Sequence, residues 1–400
     1  MAAVGERAAV RRLVERLGFG PRPGELDTAV GKGFGPVRDE LLAAVVDSGA
    51  AAPAVGDERS QEERAAIALW WLERMVTSQA PVTERVTWFW HGHFATSVQK
   101  VRSARLMVRQ NETLRGKGLG DFAELVRAMV VDPAMLIWLD GQKNTAKAAN
   151  ENLARELMEL FTLGVGNYSE QDVREAARAL TGWKVNRDTM STSLNPRQQD
   201  KGAKTVLGHS GALDATGLVE VLVGQPVSAQ FVVRRMWFRF VGAKPPEDDV
   251  VQRLVEAYGP GRDVARVLRA ITEEPGFRDE GNTLVKQPVE WAVGLMRALN
   301  VTPSALPEGD RTKLVAGLRG MGQVPFLPPS VGGWPAGAAW LTTSAALARL
   351  HVAQLITARG DLAALKGNDP VGAAGALLGV DGWSERTRNA LAKVAKQPGQ

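Results

Sequence analysis

The sequence predicts a mostly α-helical protein, a large multi-helix globular bundle with long irregular loops and few or no strands. Three observations predict this fold class. Apolar residues recur at helical spacing through most of the 400 residues, and strand signals are scarce. In addition, no Asn-Gly or Asp-Gly dipeptide separates two runs of alternating apolar residues, which would be the strongest local signal of a hairpin.

The predicted helices have recognisable ends. The stretch VRRLVERL, residues 10–17, places apolar residues at i, i+3, i+4 and i+7 and stops at Gly18. The segment LGDFAELVRAMVVDPAMLIWLD predicts a helix that ends near Asp132-Pro133, followed by a short second helix, because proline disfavours helix in the residue before it. The segment SAQFVVRRMWFRFVG exceeds ordinary strand length, which favours a helix.

Two internal segments break this pattern. Residues 184–212 form a polar span long enough to predict a functional loop or flap, and residues 322–338 are too rich in Pro and Gly for a regular helix. We expect residues 1–360 to form one large helical domain, or two lobes that meet near the polar span. Residues 361–400 are expected to form a loosely packed tail.

Composition bounds the classes of function. The 49 basic residues nearly balance the 44 acidic ones, so the formal charge of +5 does not argue for nucleic acid. The absence of cysteine excludes disulfides, thiolate metal sites and cysteine nucleophiles. Charges interrupt the N-terminal stretch and no window predicts a spanning helix, so we expect a cytoplasmic protein. The basic run Lys100–Lys117 is either a surface for a protein partner or acidic ligand, or a solvated or internally paired face.

The segment NENLARELMELFTLG, Asn150–Gly164, predicts an amphipathic helix that we call the acidic helix. At about 100° per residue, Glu156 lands about 60° from Leu153, beside Leu160, and should face the core. A buried carboxylate must be paired, hydrogen-bonded or protonated. Glu156 is therefore either a strut paired with Arg174 or Arg178, or a metal ligand or general base; Glu159, rather than the histidine of di-metal motifs, is its i+3 neighbour.

His91 and His93 form a His-x-His pair inside an aromatic-rich segment. If the segment is helical, His93 shares a face with Phe89 and Trp90 while His91 points elsewhere. If its end is extended, both rings point the same way, as paired metal ligands do. The two interpretations are metal ligation, with a divalent metal as cofactor, and packing beside the tryptophans.

Nucleotide hydrolysis is not predicted, because the spacing of a phosphate-binding loop is absent, as are G-x-S-x-G and G-x-G-x-x-G. The stretch PPSVGGWP needs Gly332 and Gly333 for backbone freedom. It predicts either a cleft lined by Trp334 or a rigid connector in which that ring plugs the core.

Several of these stretches, in this order, resemble a bacterial family known as domain of unknown function 1800. The resemblance covers about residues 10 to 350 and rests on these stretches: RLGFGP, ERVTWFWHGHFATSVQKV, LMVRQNETLR, DFAELVRAMVVDPAMLIWLD, NENLARELMELFTLGVGNYSEQDVREAARALTGW, KTVLG, FVVRRMWFRFV, VKQPVEWAVGLMRAL and PPSVGGWPAGAAWLTTSAALAR. It implies a predominantly helical fold and no established activity. Many relatives look exported and occur beside a second family that resembles secreted sulfatases, whereas this chain shows no export signal. Relatives usually carry Asn where this chain has Gly92, and often His where it has Phe161.

Taken together, the motif residues predict one shared polar pocket, built by the His-x-His segment and the acidic helix. The residues expected to converge are His91, His93, Asn150, Asn152, Arg155, Glu156, Glu159, Arg178, Trp183 and Trp334. In the first function class, a hydrolase-like or metal-dependent enzyme, Glu156 is general base or ligand and Arg155 or Arg178 binds an anion. The candidate metal ligands are His91, His93, Glu156 and Glu159, and His93 is also a candidate catalytic acid. In the second class, a non-catalytic interaction or scaffold protein, these residues are buried structural ion pairs.

Overall fold

The structure, a computed structural model, describes residues 5–43, 49–56, 60–380 and 382–396. Residues 381 and 397–400 of the predicted tail lie outside the described residues. Within the described ranges the chain is mostly α-helical, as predicted. The α-helices are α1 Glu6–Leu17, α2 Glu25–Lys32, α3 Phe34–Ala43, α4 Gln61–Thr77, α5 Pro81–His93, α6 Val98–Val101, α7 Ala104–Lys117, α8 Phe122–Val130, α9 Pro133–Trp138, α10 Asn152–Glu156, α11 Glu170–Ala179, α12 Ala215–Val223, α13 Pro226–Phe240, α14 Asp248–Tyr258, α15 Val264–Glu273, α16 Pro275–Arg278, α17 Pro288–Ala298, α18 Glu308–Gly320, α19 Thr343–Thr357, α20 Pro370–Leu378 and α21 Glu385–Val394.

Local sequence signals explain several helix ends. The first helix ends before Gly18 as predicted, and its predicted apolar stripe is buried. Asp132 caps α9 by accepting a hydrogen bond from the Met135 amide, with Pro133 at the first helical position. Ser169 and Asp172 form a reciprocal capping box at the start of α11, where sequence spacing predicts one.

Helix α5 lies between two hydrophobic clusters. Val86 and Phe89 pack into the first cluster, which includes side chains of α1–α3 and α12–α15. Trp88 packs into the second, which includes side chains of α4, α17, α18 and α19. Because both sides of α5 are covered, its residues are buried, except Gly92, which is partly exposed. This helix therefore carries polar side chains into the interior, where each needs a partner.

The prediction that residues 184–212 form an irregular loop was wrong. Two short antiparallel hairpins fall in this span and are joined by residues 195–203: β1 Trp183–Asn186 with β2 Ser191–Leu194, and β3 Lys204–Val206 with β4 His209–Gly211. The second hairpin turns through Leu207 and Gly208, which both have positive φ. That turn normally favours Asn-Gly, so a Leu-Gly pair escapes sequence recognition. The Leu207 amide donates to Asp172, which fixes the turn against α11.

The final segment contains α20 and α21, and no residue of α21 is buried. Among the described residues, no single helix is long and apolar enough to cross a membrane. The helices α12 and α13 pass the length and composition test only when taken together, and they are bent by 76° relative to each other.

Candidate functional site

A cavity of about 900 Å³ opens between α1, α5, α13, α17 and the loop that contains Gly332 and Trp334. Its volume falls within the range of small-molecule sites, roughly 300–1,000 Å³. Three helices line it with the same pattern, arginine and aromatic side chains three, four or seven residues apart, which places them on one helix face. These side chains are Arg12, Arg16 and Phe19 on and just after α1, Arg85, Trp88 and Phe89 on α5, and Arg235, Phe238 and Arg239 on α13.

The wall of the cavity is strongly cationic. Of the described residues, seven basic side chains line it, against three acidic ones, which leaves an excess of four positive charges. The basic residues are Arg11, Arg12, Arg16, Arg85, Arg235, Arg239 and Lys286, and the acidic residues are Glu15, Glu280 and Glu290. Such a wall attracts anions, and its apolar surroundings strengthen the attraction.

Glu290 is the buried centre of the charged wall. Its Oε1 lies 2.5 Å from Arg85 Nη1 and 2.5 Å from Arg239 Nη2. Burial alone would raise the pKa of Glu290, but the charges of Arg239 and Arg85 outweigh it and the pKa is lowered. Glu290 is therefore ionised and compensates only part of the positive charge around it.

Arg16 of α1 is held by main-chain carbonyls. Arg16 donates to the carbonyls of Phe240 and Val241 at the end of α13, and to that of Asn282. Those groups include helix-terminal acceptors without partners inside the helix. The pKa of Arg16 is lowered to about 9, first by burial and then by the neighbouring charges of Arg12 and Arg85. Arg16 is still charged at neutral pH.

Arg235 differs from its neighbours because it has no hydrogen bond or ion pair among the described residues. Its solvent-accessible area is that of an exposed residue, yet the surrounding protein desolvates the guanidinium and lowers its pKa. Both observations hold for a side chain that projects into a concave site, surrounded by protein but open to solvent. Its closest recorded aromatic partner is Phe231, whose ring centroid lies 6.0 Å from the guanidinium carbon. Five donors of this group are thus free to bind a ligand.

Trp334 forms part of the opposite wall. Its ring stacks on Trp88, with centroids 5.2 Å apart and an interplanar angle of 29°. Gly333 has φ of +81° and packs against the Gly92 carbonyl, which a Cβ at Gly333 would approach to 2.4 Å. The loop glycines therefore give the backbone freedom and close approach that the sequence predicts. Trp334 is half-buried and lines the cavity.

The two histidines point away from each other, as the helical interpretation predicts; the extended alternative was wrong because α5 continues through His93. The ring of His91 packs against Trp71, Trp88 and Trp334. Its Nε2 accepts a hydrogen bond from the Phe326 amide at 3.1 Å. This bond requires an unprotonated Nε2, and burial lowers the pKa of His91 to about 3, so the ring is neutral.

His93 lies on the other side of α5, against the acidic helix. Its Nε2 donates to the Phe161 carbonyl at 3.0 Å, while Nδ1 has no partner among the described residues. Burial lowers the pKa of His93 to about 3, and the charge of Arg235 acts in the same direction. This ring supplies a donor to a carbonyl at the end of the acidic helix. Between the two histidines, Gly92 lines the cavity, whereas neither ring does.

The orientation predicted for Glu156 was wrong. The acidic helix is an α-helix only to Glu156 and continues as a π-helix, Leu157–Thr162. Ala154 and Met158 are buried with Leu157, which turns the buried face away from Glu156. Glu156 is half-exposed, and it has neither a hydrogen bond nor an ion pair among the described residues. Its pKa is raised, first by partial burial and then by the charge of Glu159.

The predicted arginine partners of Glu156 pair elsewhere. Arg155 binds Glu170 at 2.7 Å and Glu151 at 3.1 Å. Arg178 binds Asp200 and Glu175, each at 2.8 Å, and Arg174 binds the side chain of Gln171. Glu159 accepts a hydrogen bond from the Tyr168 hydroxyl at 2.6 Å. The buried strut predicted at Glu156 is therefore not formed with either arginine.

The predicted residues do not converge on one pocket. Of that set, only Trp334 lines the cavity. The proposed metal ligands His91, His93, Glu156 and Glu159 are not gathered, because the helix directs the two histidines apart and each ring bonds the backbone. Within the described ranges, no group of three or more His, Asp or Glu side chains is placed to hold a metal ion.

The basic run Lys100–Lys117 is divided between surface and interior. Lys100 pairs with Asp140 at 2.7 Å, and Arg115 is buried in an ion pair with Glu84. Arg102 and Arg109 remain exposed without a partner among the described residues. The use of the basic run Lys100–Lys117 as a surface for a partner stays a prediction.

A comparison with protein-family models assigns the chain to a family. The family described as protein of unknown function (DUF1800) matches residues 12–400, and the chain belongs to this family. A comparison with curated proteins and one with solved structures gave no match.

Proposed function

We propose that this protein binds a small organic anion in the cavity between α1, α5, α13 and α17. The observation that carries the proposal is Arg235, a guanidinium that projects into the cavity and has no acidic partner among the described residues. A partly desolvated guanidinium is stabilised when it pairs with a carboxylate or phosphate, and such charge-assisted bonds are stronger than neutral ones. The proposal accordingly assigns Arg235 the primary contact with the ligand.

The neighbouring charges support the same proposal. Arg85 and Arg239 share one carboxylate, Glu290, and the charge of Arg235 lowers the pKa of Arg239 further. Like charges held together cost free energy, and a bound anion would reduce that cost. The aromatic wall at Trp88 and Trp334 would cover the apolar part of an organic ligand, as in most small-molecule sites.

Binding is the part of the predicted enzymatic function that this geometry supports. The candidate general base Glu156 does not line the cavity, and neither do the two histidines. A hydrolase-like activity would therefore need a catalytic group from the cavity wall rather than from the acidic helix. Alternatively, a non-catalytic protein would use the same cavity to recognise its ligand.

The test is fluorescence titration with 8-anilinonaphthalene-1-sulfonate, an aromatic anion, on wild type, Arg235→Ala and Arg234→Ala. Arg234 is the matched control because it precedes Arg235 on α13, pairs with Asp248 at 3.0 Å and does not line the cavity. We expect Arg235→Ala to weaken dye binding by roughly tenfold, the effect of losing about 1.4 kcal/mol.

Arg234→Ala should bind the dye like wild type, and near-ultraviolet circular dichroism should report native packing in all three proteins. Equal binding by the three proteins, or no saturable binding by wild type, would overturn the proposal.

A further inference from the structure

We infer that the ligand of this cavity carries one compact dianionic group, such as a phosphate monoester, attached to a flat unsaturated ring. This inference rests on the proposed function, since it names the chemical class of the anion. It depends on two independent features of the wall, the number of unbalanced charges and the position of the aromatic side chains beside them.

The charge count favours a dianion over a monoanion. Among the described residues, the cavity wall carries four more basic than acidic side chains, and Arg235 has no acidic partner there. An excess of four positive charges therefore remains in a partly buried site. A ligand with two charges neutralises half of this excess, whereas a carboxylate or sulfonate with one charge leaves three.

The geometry of Arg235 favours oxygens clustered on one atom. A guanidinium is planar and presents parallel N–H donors, which match two oxygens of the same phosphate or carboxylate. Arg239 lies four residues further along α13, on the same helix face. One compact group could thus contact both arginines, while charges spread over a longer molecule would not.

Aromatic surface lies beside these arginines. Phe238 sits between Arg235 and Arg239 in sequence, lines the cavity and leaves 43% of its surface exposed. The stacked rings of Trp88 and Trp334 form another part of the wall. Covering exposed aromatic surface is favourable because it removes apolar area from water. A flat ring attached to the anionic group would bury this surface with little loss of its own conformational freedom.

Glycine keeps the wall open beside the tryptophans. A Cβ at Gly92 would meet no atom within 4 Å, so the helix backbone itself bounds the cavity at this position. Only a residue without a side chain leaves this space free. The cavity can therefore accept a ring next to Trp88 rather than an anion alone.

The test compares three probes by isothermal titration calorimetry at pH 7.5: phenyl phosphate, phenyl sulfate and inorganic phosphate. Phenyl phosphate and phenyl sulfate have nearly the same shape but differ in charge, because the second pKa of a phosphate monoester is about 6. Inorganic phosphate keeps the dianion and lacks the ring. We expect phenyl phosphate to bind at least about tenfold more tightly than either of the others.

Arg235→Ala should reduce the preference for phosphate over sulfate, and Arg234→Ala should preserve it. The inference is overturned if phenyl sulfate or inorganic phosphate binds within about twofold of phenyl phosphate. In that case the proposed anion site still stands if the naphthalene dye binds through Arg235. If neither the dye nor any of the three probes binds, the proposed function fails with it.

Discussion

Two buried carboxylates of this protein are each held by two arginines, yet one cluster is sealed and the other is open. Glu84 binds Arg115 at 2.6 Å and Arg74 at 3.1 Å, and all three side chains are at most 5% exposed. Glu290 binds Arg85 and Arg239, but this cluster forms part of the cavity wall. Glu84 and Arg85, consecutive residues of α5, thus point in different directions and belong to different clusters.

The difference lies in how completely each cluster satisfies its own charges. Around Glu84, Trp71 Nε1 donates to the carboxylate, and Arg115 also binds Glu112 and Asn111. Two carboxylates balance two guanidiniums there, so nothing is left to bind a ligand. Around Glu290 the cations outnumber the carboxylate, and Arg235 has no partner among the described residues. Similar residue types therefore serve as a strut in one place and as a proposed binding site in the other.

The largest effect is expected from removing the sealed carboxylate. Glu84→Gln removes the buried carboxylate that Arg74 and Arg115 both bind, which should lower the free energy of unfolding by about 3–5 kcal/mol. Urea denaturation measures this change, and Glu256→Gln, at an exposed position of α14, is the control with an expected effect below about 0.5 kcal/mol. A loss below about 1 kcal/mol for Glu84→Gln would show that the cluster is not a strut.

The two buried histidines of α5 should also make stability depend on pH. The pKa of His91 and of His93 falls from 6.5 to about 3 on burial, so the unfolded chain binds more protons between these values. Stability is therefore lost as pH falls through 6.5, by about 2 kcal/mol per histidine at pH 5. Asp132 acts with the opposite sign, because burial raises its pKa to about 6, and its contribution increases as pH falls towards 4.

Urea unfolding of wild type and His93→Gln at pH 7 and pH 5 measures this dependence. The glutamine can still donate a hydrogen bond to the Phe161 carbonyl but does not titrate, so the loss of stability should be smaller by about 2 kcal/mol, the contribution of one histidine. The same pH dependence in both proteins would contradict the burial of a neutral His93.

The open carboxylate should matter less for stability. Glu290→Gln is expected to cost about 1–2 kcal/mol, because water in the cavity can solvate Arg85 and Arg239 when their counter-charge is lost. The same variant should bind the anionic dye at least as tightly as wild type, since the wall becomes more positive. A stability loss as large as that of Glu84→Gln, or weaker dye binding, would remove the distinction between the two clusters.

The smallest effect on stability is expected from filling the cavity. Gly92→Asn places a side chain into free space on a helix, so stability should change by less than about 1 kcal/mol. Binding of the dye should nevertheless weaken, because the side chain occupies the space beside Trp88. Gly116→Asn, on α7 and also without atoms within 4 Å of its Cβ, is the matched control that should bind normally. Unchanged dye binding by Gly92→Asn would place the ligand elsewhere.

Sequence reasoning predicted the helices well because apolar periodicity is a local signal. It missed the second hairpin because Leu207-Gly208 adopts a turn that is usually recognised in a sequence by an Asn-Gly pair. It also placed Glu156 towards the core, since a regular period of 100° per residue does not anticipate burial of Met158 or the π-helix that follows.

The sequence contains a pattern that belongs to the cavity wall, but this pattern does not suffice to predict the cavity. Arginine and aromatic residues recur at helical spacing beside the apolar stripe, as at Arg12, Arg16 and Phe19. The signal cannot show that these faces meet, because Arg85 and Glu290 are 205 residues apart in the chain yet 2.5 Å apart in the fold. That proximity results from tertiary packing, which no local pattern encodes.

The most direct test of the open cluster as a ligand site is the thermal melting of wild type, Arg235→Ala and Arg234→Ala, with and without phenyl phosphate. A ligand that binds only the folded protein raises the melting temperature, and the rise grows with the logarithm of the ligand concentration relative to Kd. We expect a rise for wild type and Arg234→Ala and little or none for Arg235→Ala. An equal rise in all three proteins, or no rise in wild type, would contradict it.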